Sequence, residues 1–148
     1  MLGLYCNVMT GSLAALESLA QLVQIDVHFN DFVGLLPSLI KSKASLLYLS
    51  VANNKLTGPI SADYAMMSKM TTFGVAFNQF TGPVYKIITA LPQLTVIYAR
   101  GNSFSGVLPP PGAAAAIYDM DNNDFTEFPA DFCKQPLPGI VLHSHELL

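Results

Sequence analysis

Charge is the first thing this chain lacks. Only 11% of its 148 residues are charged, seven Lys or Arg against ten Asp or Glu, for a formal net charge of −3. No broad basic field is available to hold nucleic acid or anionic lipid. Cysteine is almost missing as well. Cys6 and Cys133 lie near opposite ends and make neither a disulfide framework nor a zinc spacing. A bridge would need their Cα atoms within about 7 Å, which an elongated fold forbids. Both therefore read as small, half-buried residues. No stretch approaches about 18 consecutive apolar residues, which argues against a membrane-spanning helix. Residues Met1 to Thr10 do not follow a basic segment with an apolar core, so they do not read as a secretory signal. That leaves an intracellular chain, or one whose leader lies elsewhere.

Catalytic signatures are missing too. There is no G-x-x-x-x-G-K-[ST], no G-x-G-x-x-G after a strand and no G-x-S-x-G. No N-x-[ST] glycosylation sequon occurs. Of three histidines, His28 alone lies among the repeats described below. His143-Ser144-His145-Glu146 has a spacing that an extended segment can use for a metal, but a terminal tail is the stronger reading. No nucleophile–base pair assembles, so the expectation is a protein that is not an enzyme and carries no cofactor.

What is present is apolar and periodic. Hydrophobic residues make up 51% of the chain and the mean hydropathy is +0.42, so much of it is buried, or covered by a partner. The length suits one domain. Asn30, Asn54, Asn78 and Asn102 follow one another at 24-residue intervals. Five and three residues before each stand apolar pairs: Ile25 and Val27, Leu49 and Val51, Phe73 and Val75, Ile97 and Ala99. Eight before come Leu22, Leu46, Met70 and Leu94; two after come Phe32, Leu56, Phe80 and Phe104. Four after is always glycine, and six after come Leu36, Ile60, Val84 and Leu108. Partial units surround Asn7 and Asn123, the latter arriving early and with Glu127 in place of glycine.

This spacing has physical consequences. An apolar pair separated by one polar residue, as in Ile25-Asp26-Val27, is a short strand with one buried face. Stacked units align these strands in a parallel sheet at about 4.8 Å per unit. The chain must then turn sharply. The Asn side chain, both donor and acceptor, can satisfy the backbone groups left over at each turn, giving a structural ladder of Asn7, Asn30, Asn54, Asn78, Asn102 and Asn123. The glycine serves a positive φ or a close approach. Pro37, Pro59, Pro83 and Pro109 hold the following path extended. Helix is expected only in short turns within Ser61 to Lys69 and Tyr85 to Ala90. Phe29 and Phe77, at the corner before their asparagines, read as half-buried core.

The frame resembles the leucine-rich repeat, specifically the plant-type 24-residue form L-x-x-L-x-x-L-x-L-x-x-N-x-L-x-G-x-I-P, which also occurs in trypanosomatid surface antigens. Asn54-Lys55-Leu56-Thr57-Gly58-Pro59-Ile60 and Asn78-Gln79-Phe80-Thr81-Gly82-Pro83-Val84 carry the likeness, which covers about residues 2 to 130. It implies an α/β solenoid of about six coils. A short parallel sheet lines its concave side, and 3₁₀ or short helical turns and irregular segments its convex side. Residues 1–133 form the repeat domain, and 134–148 a tail or cap extension. Because each coil is covered only by its neighbours, caps are needed. None precedes Leu2, while Phe125 to Phe132 are placed to fold over the last coil, Phe128 and Phe132 covering its apolar end. An open first edge points to missing N-terminal coils or to edge-to-edge self-association.

The resemblance also places ligands on the concave sheet. There the frame exposes Asp26, His28 and Tyr48 on one flank and Tyr98, Arg100, Asp119 and Asp121 on the other. Gly74 and Ala76 lie between. These seven are the candidate ligand-binding residues, Tyr and Arg being favoured at binding hot spots. A plain solvated sheet, with Arg100 paired to Asp119 or Asp121, is the competing reading. The implied function is a protein-interaction module with a protein or peptide ligand, in a receptor, secreted inhibitor or surface antigen, extracellular or at the cell surface. The alternative function is a structural or assembly subunit whose open solenoid edge packs in a larger complex, and the alternative location is cytoplasmic.

Overall fold

Residues 1–112 and 114–129 are described by the computed structural model. Strand β1 (Leu2–Gly3) is followed by β2 (Thr10–Gly11), and each later coil repeats this pair. The pairs are β3 (Gln24–Asp26) with β4 (Asp31–Leu35), β5 (Tyr48–Ser50) with β6 (Lys55–Pro59), and β7 (Thr72–Gly74) with β8 (Gln79–Gly82). β9 (Val96–Tyr98) with β10 (Ser103–Val107), and β11 (Ile117–Asp119) with β12 (Asp124–Glu127), complete the series. The first member of every pair joins one six-stranded sheet, and the second member joins another of equal width. Every pairing is parallel and between adjacent coils.

Register in the first sheet follows the sequence frame. Tyr48 pairs with Thr72, and Thr72 with Val96, both 24 residues on. Val96 then pairs with Ile117, only 21 residues on (117 − 96 = 21), and the strands still align. The three missing residues therefore come out of the return segment after β10, where nothing requires a fixed length.

The interior is built by the positions the frame marks. Ile25, Leu49, Phe73 and Ile97 are completely buried, as are Leu46, Met70, Phe80 and Phe104. Each full burial of this kind stabilises by roughly 1.5–3 kcal/mol. Leu2, Leu4 and Phe125 pack partly buried against the same core. On the convex side Tyr64 is wholly buried, edge-on to Phe73 at 6.1 Å, and its hydroxyl donates to the Pro37 carbonyl at 2.9 Å.

Some expectations are corrected. Helical turns occur at Ala62–Met66, as a 3₁₀ turn, and at α1 (Tyr85–Thr89), but 3₁₀ turns also form at Ala14–Ser18 and Ile40–Ser42. These hold only five and three residues, too few to show a helical period. Cys6 is exposed rather than half-buried, because its backbone sits at a left-handed corner with φ 55°. Phe128 is 56% exposed; Phe132 and Cys133 lie outside the described residues.

Candidate functional site

The ladder asparagines set the shape of every strand end. Asn54 Nδ2 donates to the Val51 carbonyl of its own coil and the Val27 carbonyl of the preceding one, both at 3.0 Å, and to Ala52 at 3.2 Å. Its Oδ1 accepts from the Phe32 amide at 3.0 Å. Asn30, Asn78, Asn102 and Asn123 repeat the pattern. The amides do not bond to one another; each ties the backbones of two coils together. Asn7 is exposed, and its side chain bonds, among the described residues, only within its own turn, to the Leu4 and Tyr5 carbonyls.

The residue before each ladder asparagine is left-handed in every coil: Cys6, Phe29, Asn53, Phe77, Gly101 and Asn122, with φ between 52° and 68°. Glycine and asparagine accept this conformation readily, whereas phenylalanine does so at a cost of order 1–3 kcal/mol. The alternation that turns Val27 and Val75 inward breaks at this residue. Phe29 and Phe77 are consequently 54% and 50% exposed, not half-buried core as the sequence pattern suggested. The Phe77 ring rests on the next coil, where a Cβ on Gly101 would come within 2.9 Å of it.

The outward row of the first sheet gathers its polar groups at two flanks. On one, His28 Nδ1 is hydrogen-bonded to the Asp26 carboxylate. The imidazole stacks on Tyr5 with ring centroids 5.1 Å apart and planes 2° from parallel, and meets Phe29 edge-on at 5.4 Å. Tyr5, Gln24, Asp26 and Tyr48 partly line a concavity of about 170 Å³. Tyr5 and Gln24 stand at outward positions of the frame but were not among the seven candidates. Burial, followed by the neighbouring Asp26 charge, pushes the Tyr48 hydroxyl pKa up; a hydrogen bond with Ser50 opposes the rise and Tyr98 adds to it. Tyr48 thus remains a hydrogen-bond donor at neutral pH.

On the other flank, Arg100 Nη1 lies 3.6 Å from Asp121 Oδ2. The Asp119 carboxylate accepts from the Asp121 amide at 3.3 Å. Tyr98 stands nearby, 40% exposed. Between the flanks, Ser50, Gly74 and Ala76 are buried although they face outward, so the centre is a recess rather than an open flat. At Gly74 a Cβ would lie 3.3 Å from the Leu49 carbonyl oxygen, so bare backbone forms this floor. The sheet therefore offers donors, acceptors and aromatic faces around a small-residue centre.

Among the described residues no three His, Cys, Asp or Glu side chains converge to hold a metal. His143, His145 and Glu146 lie outside the described residues. No described helix is long and apolar enough to cross a membrane.

No protein-family model matches the chain, and no curated protein matches its sequence. Solved structures do match. A TDR receptor is 30% identical over 80% of this chain and 21% of its own, with a TM-score of 0.74. The PEPR1–AtPEP1 structure is 27% identical over 84% of this chain and 18% of its own, with a TM-score of 0.77. The leucine-rich-repeat ectodomain of the plant membrane receptor kinase GASSHO1/SCHENGEN3 from Arabidopsis thaliana shares the fold at 24% identity, over 80% of this chain and 15% of its own, with a TM-score of 0.72. The chain thus spans about a fifth or less of the length of these three structures.

Proposed function

Since the chain is a leucine-rich-repeat solenoid of the plant-type 24-residue class, we propose that it is a non-catalytic interaction module whose concave sheet holds a protein or peptide ligand. The observation that carries this reading is the distribution of groups on that sheet. Asp26, His28 and Tyr48 stand on one side of the Ser50–Gly74–Ala76 recess, and Tyr98, Arg100, Asp119 and Asp121 on the other. An extended backbone can lie over the recess while Tyr48 donates to it and the Arg100–Asp121 pair reads a polar side chain. Tyr and Arg at such positions are the residues whose loss costs most at interfaces. PEPR1, solved together with AtPEP1, supports a ligand-holding role for this architecture. The setting we propose is extracellular or at the cell surface, in a receptor, a secreted inhibitor or a surface antigen.

The test is selection of a phage-displayed random peptide library on the 148-residue chain. Enriched peptides are expected to lose at least about tenfold in affinity for the Tyr98→Ala and Arg100→Ala variants. Unchanged affinity for both variants would remove the concave sheet as the site.

A further inference from the structure

Two coils carry an aromatic ring at the left-handed corner before the ladder asparagine, where the first coil has Cys6. Asn53, Gly101 and Asn122 occupy it with residues suited to that backbone, whereas Phe29 and Phe77 hold large rings there against a conformational penalty. The penalty is not repaid by full burial, because both residues are at least half exposed. Strained positions of this kind concentrate at binding sites. The Phe77 ring lies close beside Gly101, where a Cβ would come within 2.9 Å of it.

The spacing of the two backbones is set by the solenoid. One coil separates them, so they lie two coil steps apart, about 10 Å. The amide of Phe29 bonds to the carbonyl of Ala52, and that of Asn53 to Ala76, so the intervening coil is locked in this register. Asn53 stands between the rings, and its side-chain amide makes no hydrogen bond among the described residues. The whole corner row, Cys6, Phe29, Asn53, Phe77, Gly101 and Asn122, is uncharged.

A polyproline II helix repeats every three residues, a rise of about 9 Å, and its carbonyls have no internal partners. Its prolines dock on exposed aromatic rings. We propose that the corner row is a docking surface for a proline-rich segment in polyproline II conformation. Prolines three residues apart stack on Phe29 and Phe77, and the Asn53 amide donates to a carbonyl between them. The surface lies at the strand-to-turn corner and adjoins the concave sheet where the Phe29 ring meets His28 edge-on.

The experiment is calorimetric titration of the full chain with decaproline, alongside a glycine–serine decamer and a proline-free decamer of leucine and serine. Decaproline is expected to bind and both controls to bind at least about tenfold more weakly. Phe29→Asn and Phe77→Asn keep a residue type the other coils already tolerate at this corner, so the fold persists. Each is expected to weaken decaproline at least about tenfold, with Asn53→Ala weakening it severalfold. Tyr98→Ala should leave it unchanged, which separates this surface from the concave one. Absence of decaproline binding at millimolar concentration overturns the proposal. So does equal binding of the leucine peptide, or full binding by both phenylalanine variants.

Discussion

A single asparagine does several jobs in this chain, and its worth depends on where its coil sits. Asn54 is 9% exposed and satisfies three carbonyls and one amide drawn from two coils. Alanine there leaves these groups in a space too small to rehydrate them all, and each unsatisfied buried group costs about 1–3 kcal/mol. Asn7 is exposed and bonds to two carbonyls of its own turn, which water can serve instead. Asn54→Ala is therefore expected to lose about 3 kcal/mol or more in urea unfolding, and Asn7→Ala under about 1 kcal/mol. Equal losses would mean that the amides act on the turn locally and do not tie coils together. The phenylalanines at the corner show the opposite side of residue chemistry. Phe29 and Phe77 were read as core because hydrophobicity alone marked them, and hydrophobicity carries no sign of φ. The usable signal was the company they keep: the equivalent position holds Asn53, Gly101 and Asn122, residue types that favour a left-handed backbone.

At the scale of elements, the convex turns are held by two tyrosines that must remain protonated. Tyr64, buried in the Ala62–Met66 turn, donates to Pro37, and Tyr118 on β11 donates to the Pro109 carbonyl. Burial pushes both hydroxyl pKa values above the ordinary range, with Asp63 and Glu17 adding to the effect at Tyr64. An unfolded tyrosine ionises near pH 10, so above about that value the unfolded chain releases protons that the folded one retains. Stability then falls as pH rises, the contribution being intact below the unfolded pKa and lost on the way to the folded one. The urea midpoint is expected to drop between about pH 8 and pH 11, and to drop less in the Tyr64→Phe, Tyr118→Phe double variant. An identical drop in both proteins would assign the alkaline loss elsewhere. These same elements mark how far the sequence could be read. Strands β3, β5, β7 and β9 were legible because an alternating apolar pair recurs at one distance from an asparagine. The 3₁₀ turns at Ala14–Ser18 and Ile40–Ser42 were not, since three to five residues hold no period. On the concave face, positions were legible from the frame, and so was a pairing of Arg100 with Asp119 or Asp121. The stacking of Tyr5 on His28 and the burial of Gly74 and Ala76 depend on side-chain directions that a frame does not contain.

For the molecule as a whole, stability is a matter of neighbours. No coil encloses a core by itself; Leu49, Val51, Phe73 and Val75 are fully buried because coils lie on both sides of them. Leu2 and Leu4, in the first described coil, are only partly buried. In the 148-residue chain, opening of that coil therefore breaks one interface among the described residues, whereas opening of a central coil breaks two. Hydrogen exchange reads this difference directly. The amides of Val51 and Val75, bonded to the Gly74 and Tyr98 carbonyls, are expected to be the slow ones. Those of Leu4 and Cys6, bonded to Asp26 and His28, are expected to exchange on the order of a hundredfold faster or more. Leu49→Ala, which removes about 2–5 kcal/mol from the third coil, should speed exchange in the coils on either side as well as in its own. If protection is uniform from Leu4 to Met120, and Leu49→Ala lowers it everywhere alike, the solenoid opens as one cooperative unit. If the effect fades with distance from the third coil, the energy of the fold resides in the interfaces between coils, and any partner that lies across several coils stabilises each interface it spans.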